Sequence, residues 1–257
     1  MPVVDALVVI LAGMWAGTIN AIVGSGSLVT FPTLLILGYP PVTANVSNNL
    51  GLVAGGVTAS VGYRRELAGH GRMLARLLPL AVVGAAAGSL LLLVLPAKAF
   101  SAIVPVLIVF GLVLVVFGPR IQVWSRTRHT VGASNPRSHV VALMVGIVIV
   151  GMYGGYFGAA QGIILMGLLS TLATGDLQTL NGIKNVIGTL VNVVAAVVFL
   201  LFAREHIDWW VVLFITIGSF TGGVLGARIG RRLPPPVLRA VILVVGVVGL
   251  VKIVFYP

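Results

Sequence analysis

Residues 44–51 read Ala44-Asn45-Val46-Ser47-Asn48-Asn49-Leu50-Gly51, three asparagines and a serine inside an otherwise apolar stretch from Val42 to Val61. Polar amides in such company need partners, since a buried group left unpaired costs about 1–3 kcal/mol. Moving 136 residues along the chain gives Leu180-Asn181-Gly182-Ile183-Lys184-Asn185, which aligns Asn45 with Asn181, Asn48 with Lys184 and Asn49 with Asn185. The same oddity at one offset divides the chain into two related halves.

Working outward, the composition fixes the class. Of 257 residues 59% are hydrophobic and only 8% charged, and the mean hydropathy is +1.15, far from a soluble domain. Apolar runs such as Leu77 to Leu95 and Val237 to Val251 match α-helical spans of roughly 20 residues, not the short alternating strands of a barrel. The expected fold is an all-α polytopic membrane protein. A net charge of +11 suggests nucleic acid in a soluble chain, but here the arginines cluster between apolar runs, the pattern of membrane orientation. Nucleic acid is therefore not an expected partner; anionic lipid headgroups are. The chain has no cysteine, which excludes disulfides and thiolate chemistry. Asp5 and the lack of any early Lys or Arg differ from a cleaved signal peptide, so the first segment is expected to remain in the mature protein.

Each half follows one plan. Val3 to Val23 is long enough to span; Gly24-Ser25-Gly26-Ser27 interrupts it, and Leu28 to Leu37 is too short to cross a core of roughly 30 Å. The helix Val42 to Tyr63 follows, then spans from Leu77 to Leu95 and Phe100 to Phe117. Gly118 to His139 is the long polar connection. Val140 to Gly151 restarts the pattern, ahead of the glycine-rich Gly154-Gly155-Tyr156-Phe157-Gly158-Ala159-Ala160-Gln161-Gly162 and the short run Ile163 to Leu172. Leu177 to Phe202, Trp209 to Leu225 and Val237 to Tyr256 complete it. The expected organisation is a first membrane repeat over 1–117, a cytoplasmic linker over 118–138 and a second repeat over 139–257. Each repeat has a glycine-broken or re-entrant helix pair followed by three transmembrane helices.

Four arginines fall in each of three places, Tyr63 to Arg76, the linker and Arg228 to Arg239. For all three to be cytoplasmic, each broken segment must add an even number of crossings, so each half has an odd number. The halves are then inverted relative to one another, as in many secondary transporters, with both termini outside. The counterpart loop Arg204-Glu205-His206-Ile207-Asp208 is net acidic, as an outside loop should be.

All five acids, Asp5, Glu66, Asp176, Glu205 and Asp208, fall in loops or at segment ends, which disfavours a cation site or proton relay in the membrane. Asn45, Asn48, Asn49, Asn181 and Asn185 offer amide donors and Lys184 a positive charge, a set that suits an anion. Short helices starting after the glycine breaks would aim their N-termini inward, with Gly24, Gly26 and Gly162 letting a ligand approach the backbone and Ser25, Ser27 and Gln161 in second line. Against this, a single intramembrane Asn also serves as glue between helices, and Lys184 has the reach to snorkel. Gly84, Gly88, Gly218, Gly222 and Gly226 are assigned to helix packing. His70, His129, His139 and His206 lack metal-ligand spacing, so no metal or cofactor is expected. A membrane enzyme would lack an intramembrane Asp, Glu or His for its chemistry; an anion channel is not separated from a carrier.

The motifs resemble the TauE/SafE family of bacterial membrane permeases, also called sulfite exporters. The resemblance rests on Ala21-Ile22-Val23-Gly24-Ser25-Gly26-Ser27-Leu28-Val29-Thr30-Phe31-Pro32 with the Asn cluster, on the second break with Asn181 and Lys184, and on Ile207-Asp208-Trp209 and Gly226-Ala227-Arg228. It implies a bacterial inner-membrane permease, an exporter, for a sulfur-containing anion such as sulfite or an organosulfonate. The alternative is a channel or a permease for another small organic anion. The family's glycine runs are diluted here by Ser25, Ser27, Ala159, Ala160 and Gln161.

Overall fold

The computed structural model describes residues 2–128, 136–173, 175–229 and 235–255. These form ten α-helices: α1 (Val3–Ile22), α2 (Ser27–Ile36), α3 (Pro41–Gly62), α4 (Gly71–Val94), α5 (Ala97–Arg128), α6 (Pro136–Tyr156), α7 (Gln161–Leu172), α8 (Leu177–Phe202), α9 (Trp209–Ile229) and α10 (Pro235–Phe255). No strand occurs among the described residues. Seven of the helices are long and apolar enough to cross a membrane. α3 has the length, 22 residues, or about 33 Å, but its polar residues keep it out of that set. α2 and α7, of 10 and 12 residues, reach only about half-way through a bilayer core.

Local chemistry sets the helix ends. Pro41 opens α3 at its first turn, where a missing N–H costs nothing. Asp176 caps α8 by accepting the Thr179 N–H at 2.8 Å, which holds its carboxyl below the ordinary Asp range. Asp208 caps α9, accepting from the Trp210 and Val211 N–H groups at 3.0 Å each. The Asp-Trp pair is thus a helix start.

Three boundaries differ from the hydropathy reading. α4 begins at Gly71, so Arg72 and Arg76 ride its first turns instead of a loop. α5 continues past the apolar span to Arg128, and α6 starts at Pro136. Hydropathy marks where an apolar span ends, whereas backbone hydrogen bonds within the helix do not depend on side-chain polarity. In the second half Gly154 and Gly155 remain helical, and the break is Phe157 to Ala160. His139 likewise sits in α6. His129, Thr174, Arg231, Arg232 and Tyr256 lie outside the described residues.

Packing exchanges the halves. α1 packs on α9 as α6 packs on α4; α3 meets α9 as α8 meets α4; α2 meets α10 as α7 meets α5; α3 and α8 meet each other. Small residues seat these contacts. Gly13 and Gly17 of α1 face Ile215 and Ser219 of α9, while Gly84 and Gly88 of α4 face Val148 and Met152 of α6. Both pairs advance together, so these helices are parallel. Gly51, Gly55 and Gly62 of α3 similarly follow Ile215, Ser219 and Ala227. α3 and α8 run oppositely: Asn49 bonds Asn192, Ser60 bonds Thr189, and Tyr63 lies against Gly182.

A Cβ added at Gly88 would stand 1.9 Å from Met152 O, and one at Gly222 2.0 Å from Met14 O. Close backbone approach of this kind is how helices associate in lipid. Gly88→Ala and Gly222→Ala are expected to lower the thermal midpoint of the detergent-solubilised protein, each costing on the order of 1–3 kcal/mol. Gly167→Ala, with nothing within 4 Å, should leave it unchanged or raise it.

Candidate functional site

Both broken helices end in the same way. After α1 the N–H groups of Val23 and Gly24 converge on Ile19 O at 2.7 and 3.0 Å; after α6 those of Phe157 and Gly158 converge on Tyr153 O at 3.0 and 3.1 Å. Gly24 and Gly158 then take φ values of +84° and +75°, the left-handed turn that glycine adopts without a Cβ clash. The breaks touch: Gly162 N–H donates to Gly24 O at 2.8 Å. A Cβ on Gly24 would lie 2.5 Å from Gly162 Cα.

The carbonyls left open at these ends are met from the opposite half. Asn181 and Asn185 of α8 both donate to Ala21 O at 3.1 Å. Lys184 Nζ donates to Asn20 O at 3.2 Å and Ile22 O at 3.5 Å. Across the molecule Asn45 of α3 donates to Tyr156 O at 3.1 Å. Asn48 instead accepts from the Thr30 hydroxyl, so it does not reproduce the contacts of Lys184, with which it aligns in sequence. Several of the amides picked out from sequence therefore cap broken helices, and of the three aligned pairs only Asn45 and Asn181 both do so.

Between the breaks, α3 and α8 lies a cavity of about 40 Å³, room for about three waters or an ion of a few heavy atoms. Of the residues picked out from sequence, Gly24, Ser27, Gln161, Gly162, Lys184 and Asn185 line it. Ser25, Gly26, Asn45, Asn48, Asn49 and Asn181 do not. Asn49 reaches its edge through Asn192, to which it donates at 3.4 Å. Sequence reasoning missed Asn20, Gly56, Ala59, Gly158, Gly188, Thr189 and Asn192. Asn20 and Thr189 carry no repeated offset, and Asn20 is further engaged by the Gly26 N–H at 2.8 Å.

The chemistry of the lining is donor-rich and cationic. Lys184 is 2% exposed, and its described partners are two carbonyls, which leaves one of three ammonium hydrogens unused. Gln161 is 5% exposed, and its Nε2 has no partner among the described residues. Gly154 makes room for that amide: a Cβ there would stand 2.4 Å from its carbon. Ser27 and Gln161 open α2 and α7, whose N-terminal N–H groups carry positive dipole character. No group of three or more His, Cys, Asp or Glu that could hold a metal occurs among the described residues.

A family model described as "Sulfite exporter TauE/SafE" matches residues 9–253. A "Probable membrane transporter protein" of Haemophilus influenzae is 27% identical over 98% of this chain and 96% of its own length. A "Probable membrane transporter protein ORF9" of Sinorhizobium sp is 27% identical over 96% of this chain and 91% of its own. The Escherichia coli K12 "Probable membrane transporter protein YfcA" is 26% identical over 96% and 89%. No solved structure gives a significant match.

Because Ala21 O receives two amides, either one alone leaves it satisfied. Asn181→Leu or Asn185→Leu singly should cost about 0.6 kcal/mol, typical of a hydrogen bond between membrane helices. The double variant should lose more than the sum, by about 1–3 kcal/mol, because the carbonyl is then orphaned. Thermal unfolding of the four proteins in detergent measures this; additivity would contradict the shared cap.

Proposed function

The chain belongs to the TauE/SafE sulfite exporter family, and from that premise we propose that this membrane transporter exports a small sulfur-containing anion such as sulfite or an organosulfonate. The substrate sits at mid-membrane between two inverted halves. The first half is 1–117 and the second 139–257, joined by a cytoplasmic linker over 118–138. The Arg-rich ends face the cytoplasm of a bacterial inner membrane and both termini face outside. Supporting the inversion, α3 and α8 run oppositely while α1 and α9 run together.

One observation carries the anion reading: a buried lysine without a carboxylate partner lines the same small cavity as the unpaired amide of Gln161 and the starts of α2 and α7. Lys184 supplies the charge, Gln161 Nε2 and backbone N–H groups supply donors, and Ser27 and Asn185 complete the lining. Asn45, Asn181 and Asn185 hold the broken helices that shape it; Asn48 ties α3 to α2 through Thr30, and Asn49 ties α3 to α8 through Asn192. A pyramidal or tetrahedral oxyanion of four or five heavy atoms fits the volume better than a long-tailed one.

Sulfite efflux from proteoliposomes tests this. Lys184→Ala and Gln161→Leu are each expected to slow saturable efflux by about tenfold or more, since a hydrogen bond to a charged group is worth about 1.5–3 kcal/mol. Full efflux in both variants, with thermal melting confirming that they fold, would remove the assigned site.

A further inference from the structure

We propose that the ammonium of Lys184 is a built-in coupling cation: it holds the carbonyl site at the end of α1 that a free monovalent cation would otherwise take, so the protein moves its anion with no cation travelling alongside. Transporters with broken helices commonly use the freed carbonyls of a half-helix C-terminus to coordinate a mobile Na⁺, while facing N-termini hold the anionic substrate. Here the same three carbonyls in sequence, Asn20, Ala21 and Ile22, are already filled. Lys184 Nζ takes the outer two at 3.2 and 3.5 Å, and Asn181 and Asn185 take the middle one at 3.1 Å.

Two further observations point the same way. All five acids of the chain lie in loops or at helix ends, so the cavity has no carboxylate to retain a second, mobile cation. The opposite break lacks the device: Tyr156 O receives a neutral amide from Asn45, and Asn48 is engaged with Thr30. The amine is therefore tethered, single and placed on one side of the centre. With one N–H directed elsewhere than the carbonyls, the same ammonium balances the anion. Each turnover then carries net negative charge, and an inside-negative potential drives the anion outward.

The flux consequence rests on the carrier reading above; the cation site rests on geometry and is tested separately. Lys184→Ala removes the four atoms of an n-propylammonium ion, so that ion is the probe, with tetramethylammonium, which has no N–H to donate, as the control. At equal ionic strength in detergent, propylammonium chloride should raise the thermal midpoint of Lys184→Ala by several degrees relative to tetramethylammonium chloride and leave the wild-type protein unchanged. Equal midpoints for the variant in the two salts, or no folded variant even in propylammonium, would overturn the built-in cation.

In a second arm, wild-type proteoliposomes should release sulfite at the same rate in Na⁺, K⁺ or choline, and faster under an inside-negative potential. A requirement for Na⁺ or K⁺ would overturn the proposal too. Absence of flux in every salt, with the propylammonium effect intact, would count against the carrier reading and leave the cation site standing.

Discussion

Carbonyl groups released where a helix breaks inside a membrane have no water to bond, and each one left bare costs several kcal/mol. The chain breaks two helices in this way, after Ile22 and after Tyr156, and most of the polar design follows from closing those ends. α8 sends Asn181, Lys184 and Asn185 to the carbonyls of α1; α3 sends Asn45 to the last carbonyl of α6. Because each cap comes from the other half of the chain, neither broken helix is closed by its own half. The halves are thus interlocked where Gly24 and Gly162 bond directly, and glycine-lined contacts join α1 to α9 and α4 to α6.

The proposed function rests on the imbalance between the two caps. One end is closed by a single neutral amide, that of Asn45, the other by the amides of Asn181 and Asn185 and the amine of Lys184. A fixed positive charge without a carboxylate partner, in a space of a few atoms bordered by helix N-termini, favours a small anion over a cation or a neutral solute. The same asymmetry leaves two similar breaks bordering a chemically lopsided cavity.

Much of this was legible in the sequence. The element order, the two breaks, the polar helices after them and the absence of deep carboxylates were all readable, because hydropathy and glycine report directly on lipid contact and backbone conformation. What the amides touch was not readable. Asn45 and Asn181 look like ligands by type and offset, yet their donors go to Tyr156 and Ala21, and only folding brings those carbonyls within reach. Asn20, Thr189 and Asn192 line the cavity without any counterpart at the repeat offset, so no pattern singled them out. Gln161 was readable as a second-line candidate at the glycine break, but its unpaired Nε2 and the room that Gly154 leaves for its amide were not.

The most direct measurement is anomalous diffraction at the selenium edge from crystals of the protein equilibrated with selenite, an oxyanion of the same shape and charge type as sulfite. An anomalous peak within hydrogen-bonding distance of both Lys184 Nζ and Gln161 Nε2, between the two breaks, is the predicted result. A cavity without a peak, with selenite only on the arginine-rich surface, would contradict the site.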